Sequence, residues 1–212
     1  MCPLRNAEKS HAAAGGIFAG LCPDAWVTSL ADIRYDELYA RGYRVAAFDI
    51  DNTLVRHNAP PDLKTQELFR NLWEMGYAIW LISNNQEPRV KSFADSSGVS
   101  YICKAGKPSA RGYLQACREA GADPAEMVFA GDQIFTDIWG ARRAGVYSVL
   151  VNPICPSEEI QIFLKRVPEW LVLARYRRGL RRMGVSGIPP IGYQEKKRPH
   201  IVPPPAKARR NS

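Results

Sequence analysis

The chain has 212 residues, 46% of them hydrophobic, enough for one domain with a sizeable core. Its formal net charge of +8 is unevenly placed: residues 175–212 carry eleven Lys/Arg and one acid, Glu195, for +10, which leaves residues 1–174 at about −2. The basic character therefore belongs to the C-terminal end and not to the core, and no apolar run reaches the roughly 18 residues that a membrane-spanning helix needs.

The first twenty residues place Arg5 and Lys9 before a weak Ala/Gly stretch. The pattern mimics a secretory leader, but its apolar part is short and poor in Leu, so residues 1–20 read as a flexible N-terminus. The five cysteines (Cys2, Cys22, Cys103, Cys117 and Cys155) are odd in number, scattered and without a CxxC pair. That usage fits neither a disulfide framework nor a zinc site, and it suits a reducing cytoplasm.

After Gly42 short apolar runs alternate with amphipathic stretches. Residues 45–50 predict a strand. Leu63, Leu68, Phe69, Leu72 and Trp73 recur at helical spacing, and Gly76 ends that helix. Strands are expected over residues 78–82, near 99–103, over 127–130 and over 147–151; helices are expected over 88–94, 109–120 and 136–144, the last two stopped by Gly121 and Gly145. Trp73, Trp80 and Trp139 read as core residues, while Trp26 and Trp170 flank the domain as packing residues or interfacial anchors. Unbroken apolar strands alternating with helices predict an α/β fold, a Rossmann-like doubly wound parallel sheet covered on both faces. Ligands bind such sheets beyond the carboxyl ends of the strands. The polar clusters fall there: Asp49 and Asp51, then Ser83, Asn84 and Asn85, then Lys104 and Lys107, then Asp132.

Asp49 and Asp51 lie two positions apart on an extended segment, so alternation sends both side chains to one side. Two carboxylates facing one site repel unless a cation compensates them. Mg²⁺ is the natural partner, since it prefers hard oxygen ligands and commonly combines one or two carboxylates with substrate phosphate. Asp132 can supply another carboxylate. Asp137, five positions later, either orients metal-bound water or simply begins a helix. A hydroxyl at Ser83, neighbouring backbone N–H groups and a lysine charge suit a phosphate. Lys107 is preferred over Lys104 for that charge because Pro108 follows it. His57 follows the first cluster and either touches substrate or is a lone exposed histidine that is neither ligand nor catalyst.

The ordered set DIDNTLV, ISNN, KAGKP and GDQIFTD resembles the four motifs of the haloacid dehalogenase superfamily, and more closely the YqeG-type phosphatases of subfamily IIIA, whose relatives include phosphatidylglycerophosphate phosphatase. The resemblance runs from about Leu21 to about Gly179. It implies a Mg²⁺-dependent phosphomonoester hydrolase in which Asp49 is the nucleophile, Asp51 the acid and base, and Lys107 the partner of both Asp49 and the phosphate. It further implies Asp49, Asp132 and the Asp51 backbone carbonyl as metal ligands, with Thr53, Ser83 and Asn84 on the substrate. Where the family pattern has a basic residue between the two lysines, as in KARKP, Gly106 stands here, so a substrate contact is missing.

Asp51 to Ser83 spans 32 positions and Ser83 to Lys107 spans 24, which the expected helices and strands nearly fill. A lid domain does not fit, so the site should be open. An open site suits a phosphate presented on something large, such as a macromolecule or an anionic lipid surface at the inner membrane face, or a second subunit of a homodimer serves as the lid. Residues 157–183 read as helical and close the expected domain of residues 21–183, while residues 184–212 read as a disordered Pro-rich basic tail. The stretch EWLVLARYRRGLRRMG sets Trp170, Leu173 and Leu180 among five arginines, as a docking helix or a membrane-surface helix. Two alternatives stand beside the lipid substrate. One is a soluble sugar phosphate or nucleotide. The other is RNA or ribosome binding by a vestigial core, a partnership that the tail's lack of interleaved aromatics beyond Tyr193 disfavours.

Overall fold

Runs such as Val45–Phe48 and Met127–Gly131, apolar at successive positions, can be buried only if both faces of a strand are covered. In the computed structural model, which describes residues 19–155, they form the centre of a parallel sheet. Its strands are β1 (Ala25–Val27), β2 (Val45–Phe48), β3 (Ala78–Ile82), β4 (Ser100–Ile102), β5 (Met127–Gly131) and β6 (Tyr147–Val151), in the spatial order β1-β6-β5-β2-β3-β4. All neighbouring pairs are parallel. The chain moves outward from β2 through β3 to β4, then crosses to β5 on the other side of β2. Strand order therefore reverses between β2 and β5, and this is the position where a crevice opens in such sheets.

Helices α1 (Tyr35–Ala40), α2 (Leu63–Glu74) and α3 (Glu87–Ser97) cover one face, where Leu38, Phe69, Leu72, Val90 and Phe93 meet Ala46, Phe48, Val128 and Val149. Helices α4 (Arg111–Ala120) and α5 (Trp139–Arg143) cover the other, where Tyr113, Ala116, Cys117 and Ala141 meet Val45, Ala47, Trp80 and Phe129. Helix α2 begins on Asp62, whose carboxylate accepts the Thr65 N–H at 2.8 Å; α3 and α4 end on Gly98 and Gly121 in the left-handed region. Between β2 and β3 there is one helix, and between β3 and β4 one more, so neither connection carries a lid domain.

Four expectations need correction. The strand expected over 45–50 stops at Phe48, because Asn52 turns into the left-handed region (φ 64°) and the chain folds back through an Asp51–Val55 bridge. The helix expected over 136–144 is a π turn, Ile134–Ile138, followed by the short α5. Trp73 is 46% exposed and Trp139 38% exposed, so neither is a core residue, whereas Trp80 is buried. Trp26 is buried on β1, its Nε1–H donating to Asn152 Oδ1 at 2.9 Å. The expected helix over 157–183, Trp170 and the basic tail lie outside the described residues.

Candidate active site

The reversal point puts the ends of β2 and β5 side by side, and Asp49 follows β2 as Asp132 follows β5. The Asp49 backbone N–H still donates to Ala130 O at 3.0 Å, which pins the carboxylate at the sheet edge. Lys107 reaches it from the segment after β4, with Nζ 2.5 Å from Asp49 Oδ1 and 2.6 Å from Asp137 Oδ1. Asp137 sits in the π turn, is buried, and also accepts the Gln133 N–H at Oδ2 (3.0 Å). Gly131 has no side chain for a reason: a Cβ there would lie 2.6 Å from the Asp137 carboxyl group. Burial pushes Asp49 up to about 7 although the Lys107 ammonium pulls it down, since that ammonium is divided with Asp137. Burial also works against the Lys107 charge, but the Asp137 and Asp49 carboxylates outweigh it and hold the ammonium above the usual lysine range.

Asp51 lines the same cleft and has different partners. Its Oδ1 accepts the Asn58 N–H at 2.8 Å and lies 3.2 Å from Arg89 Nη2; its Oδ2 accepts from the Asn85 side-chain amide. His57, half-exposed, stands with Nδ1 3.9 Å from Asp51 Oδ1. Arg89 and the Asn58 amide escaped sequence reasoning. Asn85 alone carried a signal, as the third residue of the Ser83-Asn84-Asn85 cluster.

The remaining residues divide between holding the cleft and lining it. Ser83 is buried at the cleft wall, its Oγ accepting the Asn85 N–H at 3.2 Å. Asn84 clamps the Lys107 backbone by a reciprocal pair, Nδ2 to Lys107 O (3.1 Å) and Lys107 N to Oδ1 (2.7 Å). Thr53 is buried, its hydroxyl 3.5 Å from Asp132 Oδ1, and it is not among the residues lining the cleft. Lys104 is exposed, and Lys107 is the lysine that enters the site. Gly106 occupies the left-handed region (φ 68°), and a Cβ there would meet the Arg111 guanidinium only at 4.0 Å. The cleft is polar, holds about 150 Å³ and is lined also by Gln133 and Thr136.

A buried carboxylate beside a lysine at the reversal point of a parallel sheet can attack phosphorus, and relatives of this chain do phosphatase chemistry. A profile of the haloacid dehalogenase-like hydrolases matches residues 57–145. A probable phosphatase, YqeG, from Bacillus subtilis is 35% identical over 161 residues, covering 74% of this chain and 92% of that protein. The chain belongs to the haloacid dehalogenase-like hydrolases, as a phosphatase of the YqeG type. A chloroplastic and mitochondrial phosphatidylglycerophosphate phosphatase from Arabidopsis thaliana is 28% identical over 181 residues, 78% of this chain and 49% of that protein. Among solved structures, a cobalt-bound deoxy-D-mannose-octulosonate 8-phosphate phosphatase from Haemophilus influenzae has a TM-score of 0.44 at 11% identity, covering 65% of this chain and 91% of that one.

Haloacid dehalogenase-like hydrolases generally use a divalent metal, and the donor set here fits one. Asp49, Asp132 and Asp137 are buried and each offers a carboxylate oxygen within 4.8 Å of the others. Three carboxylates against the one Lys107 ammonium leave a formal −2 in a desolvated site, which a divalent cation would offset. The Asp51 carboxylate is outside this group, occupied by Asn85, Arg89 and the Asn58 amide. Among the described residues no helix is long and apolar enough to cross a membrane, and no disulfide joins Cys22, Cys103, Cys117 or Cys155.

Proposed function

We propose that this phosphatase is a Mg²⁺-dependent phosphomonoester hydrolase that works through an aspartyl-phosphate on Asp49, and that its substrate is a lipid-borne phosphate of the phosphatidylglycerophosphate class. The observation that carries the reading is the Asp49 carboxylate in the polar cleft, at the reversal point, 2.5 Å from a buried lysine. Asp49 attacks phosphorus while the ester P–O bond breaks and Asp51 gives a proton to the departing alcohol oxygen. Water then attacks phosphorus, the acyl phosphate P–O bond breaks, and Asp51 takes the water's proton, so ester and water become alcohol and inorganic phosphate. Ser83, Asn84 and Lys107 hold the phosphate oxygens. Asp49, Asp132 and the Asp51 backbone carbonyl would hold Mg²⁺, with Asp137 beside them. The ion supplies charge neutralisation at the phosphoryl oxygens.

Three features support the lipid substrate. Among the described residues no lid domain covers the cleft, with only α2 and α3 in the two connections where one could be inserted. One relative is by name a phosphatidylglycerophosphate phosphatase. The sequence carries +10 over residues 175–212, and each basic residue near an anionic surface contributes on the order of 1 kcal/mol. We take residues 21–183 as the functional domain, with residues 1–20 and 184–212 outside it, acting peripherally at the cytoplasmic membrane face. The test is phosphate release with Mg²⁺ across phosphatidylglycerophosphate in anionic vesicles, sugar phosphates and nucleotides. The lipid should be turned over with the highest kcat/KM. Efficient turnover of a soluble phosphate with none of the lipid would replace the lipid by the soluble substrate.

A further inference from the structure

The machinery around Asp49 accounts for Lys107, Asp132 and Asp137, but not for the groups gathered on Asp51. Both Asp51 oxygens are engaged, and one nitrogen does two jobs there: Arg89 Nη2 lies 3.2 Å from Asp51 Oδ1 and donates at 2.7 Å to the carbonyl oxygen of Ala59. Ala59 follows Asn58, whose backbone N–H makes the other contact to Oδ1. Arg89 therefore fastens the Asp51 carboxyl and the loop that embraces it to a single point on helix α3.

The place of Arg89 in its own helix argues against a local purpose. It is the third residue of Glu87–Ser97, in the first turn, where the partial positive charge of the helix N-terminus disfavours a cation. Its Nε is buried with no hydrogen-bond partner among the described residues. The guanidinium lies over the Phe93 ring, 5.4 Å from its centroid, which fixes the plane of the fork. An unfavourable helix position and an unsatisfied donor are both retained, and the contacts obtained in exchange are those to Asp51 and Ala59.

We propose that Arg89 is a positioning residue for proton transfer: it fixes the Asp51 carboxyl against the leaving-group oxygen. The inference rests on the reading of Asp51 as the acid. A proton donor held to within a few tenths of an ångström matters most when the leaving group cannot depart unprotonated, and a misplacement of about 1 Å costs on the order of 10²-fold in rate. An alkyl alcohol needs the proton. Nitrophenolate does not.

The test compares glycerol 3-phosphate with p-nitrophenyl phosphate under single-turnover conditions, with enzyme in excess and Mg²⁺ saturating, so that alcohol release reports the first displacement alone. Arg89→Gln should slow glycerol release by about 10- to 100-fold and nitrophenol release by less than about threefold, with substrate affinity nearly unchanged. Arg89→Lys keeps the charge but not the fork, and should recover part of the glycerol rate. The thermal midpoint and the Mg²⁺-induced shift of each variant separate this effect from unfolding. Equal slowing of both leaving groups, or glycerol release that is unchanged or faster in Arg89→Gln, overturns the proposal. Asp51→Asn distinguishes the two levels. If it discriminates between the leaving groups and Arg89→Gln does not, Arg89 alone loses its role. If Asp51→Asn does not discriminate either, the acid assignment fails and the proposal with it.

Discussion

Replacing Lys107 by Met should destabilise the metal-free protein most strongly above neutral pH and less in acid, where the lost contact to Asp137 remains. The Lys107 side chain is 3% exposed and its ammonium makes two charge-assisted contacts, at 2.5 Å to Asp49 and 2.6 Å to Asp137. Charged hydrogen bonds contribute about 1.5–3 kcal/mol each, and removing one member of a buried pair costs about 3–5 kcal/mol because the remaining charge has no partner. In a domain of this size that is a drop of roughly 6–20 °C in thermal midpoint. The pH window follows from Asp49. Its pKa is raised by burial from 3.8 to about 7, so in the wild-type protein without metal its contribution to stability is full below about pH 4 and is lost as pH rises towards 7. Without Lys107 the carboxylate is still harder to ionise, so the variant's deficit should be largest near pH 8 and shrink towards pH 5, where Asp49 is protonated. Saturating Mg²⁺ should recover part of the pH 8 deficit, since a cation returns to the carboxylates. The assay is urea and thermal unfolding in chelator and in Mg²⁺ at both pH values. A deficit below about 1 kcal/mol in chelator at pH 8, or an equal deficit at pH 5, would refute the electrostatic reasoning.

Asp49→Asn should retain the wild-type fold by circular dichroism while turnover of every phosphate ester falls by at least about 10³-fold; near-normal turnover rejects the nucleophile. Gly131→Ala places a Cβ 2.6 Å from the Asp137 carboxyl group and must displace it, so stability should fall by about 1–3 kcal/mol and calorimetric titration should show weaker Mg²⁺ binding. Because Asp49 must release its proton to meet a cation and that proton leaves at about 7, Mg²⁺ affinity should weaken about tenfold per unit below pH 7 and level off above it, as read from metal-dependent thermal shifts. Changing Arg177, Arg178, Arg181 and Arg182 to Gln should leave hydrolysis of a small soluble phosphate intact and reduce sedimentation with anionic vesicles; unchanged sedimentation at low salt removes the electrostatic attraction.

Much of this site was legible because its chemistry sits at strand ends. The runs before Asp49, Ser83 and Asp132 are apolar at successive positions, so their strand character and the convergence of their polar ends followed from the sequence alone. Strand β1 is three residues long and α1 six, too short for periodicity to register. The exposure of Trp73 and Trp139 depends on which face of each helix meets the sheet, and a large aromatic on a helix does not announce that. Asp137 was half-legible: its spacing from Asp132 put it one turn into the next element, but the π turn that aims it at Lys107 is a tertiary outcome. Arg89 was invisible for a simpler reason. It stands 38 residues from Asp51, on a helix where its one local contact is the Phe93 ring, and the parallel pairing of β2 with β3 brings the two together.

A phosphoryl group carried covalently on Asp49 can be trapped directly. Asp51→Asn keeps the nucleophile and removes the base that would activate water, so the intermediate should accumulate when the variant, with Mg²⁺, meets p-nitrophenyl phosphate, whose leaving group needs no acid. Acid quenching, borohydride reduction of the acyl phosphate and mass spectrometry of the peptide carrying residue 49 then read it directly. Asp49 should be converted to homoserine in proportion to the nitrophenol released in the first turnover. Nitrophenol release with Asp49 unmodified, or reduction at another carboxylate, would contradict it.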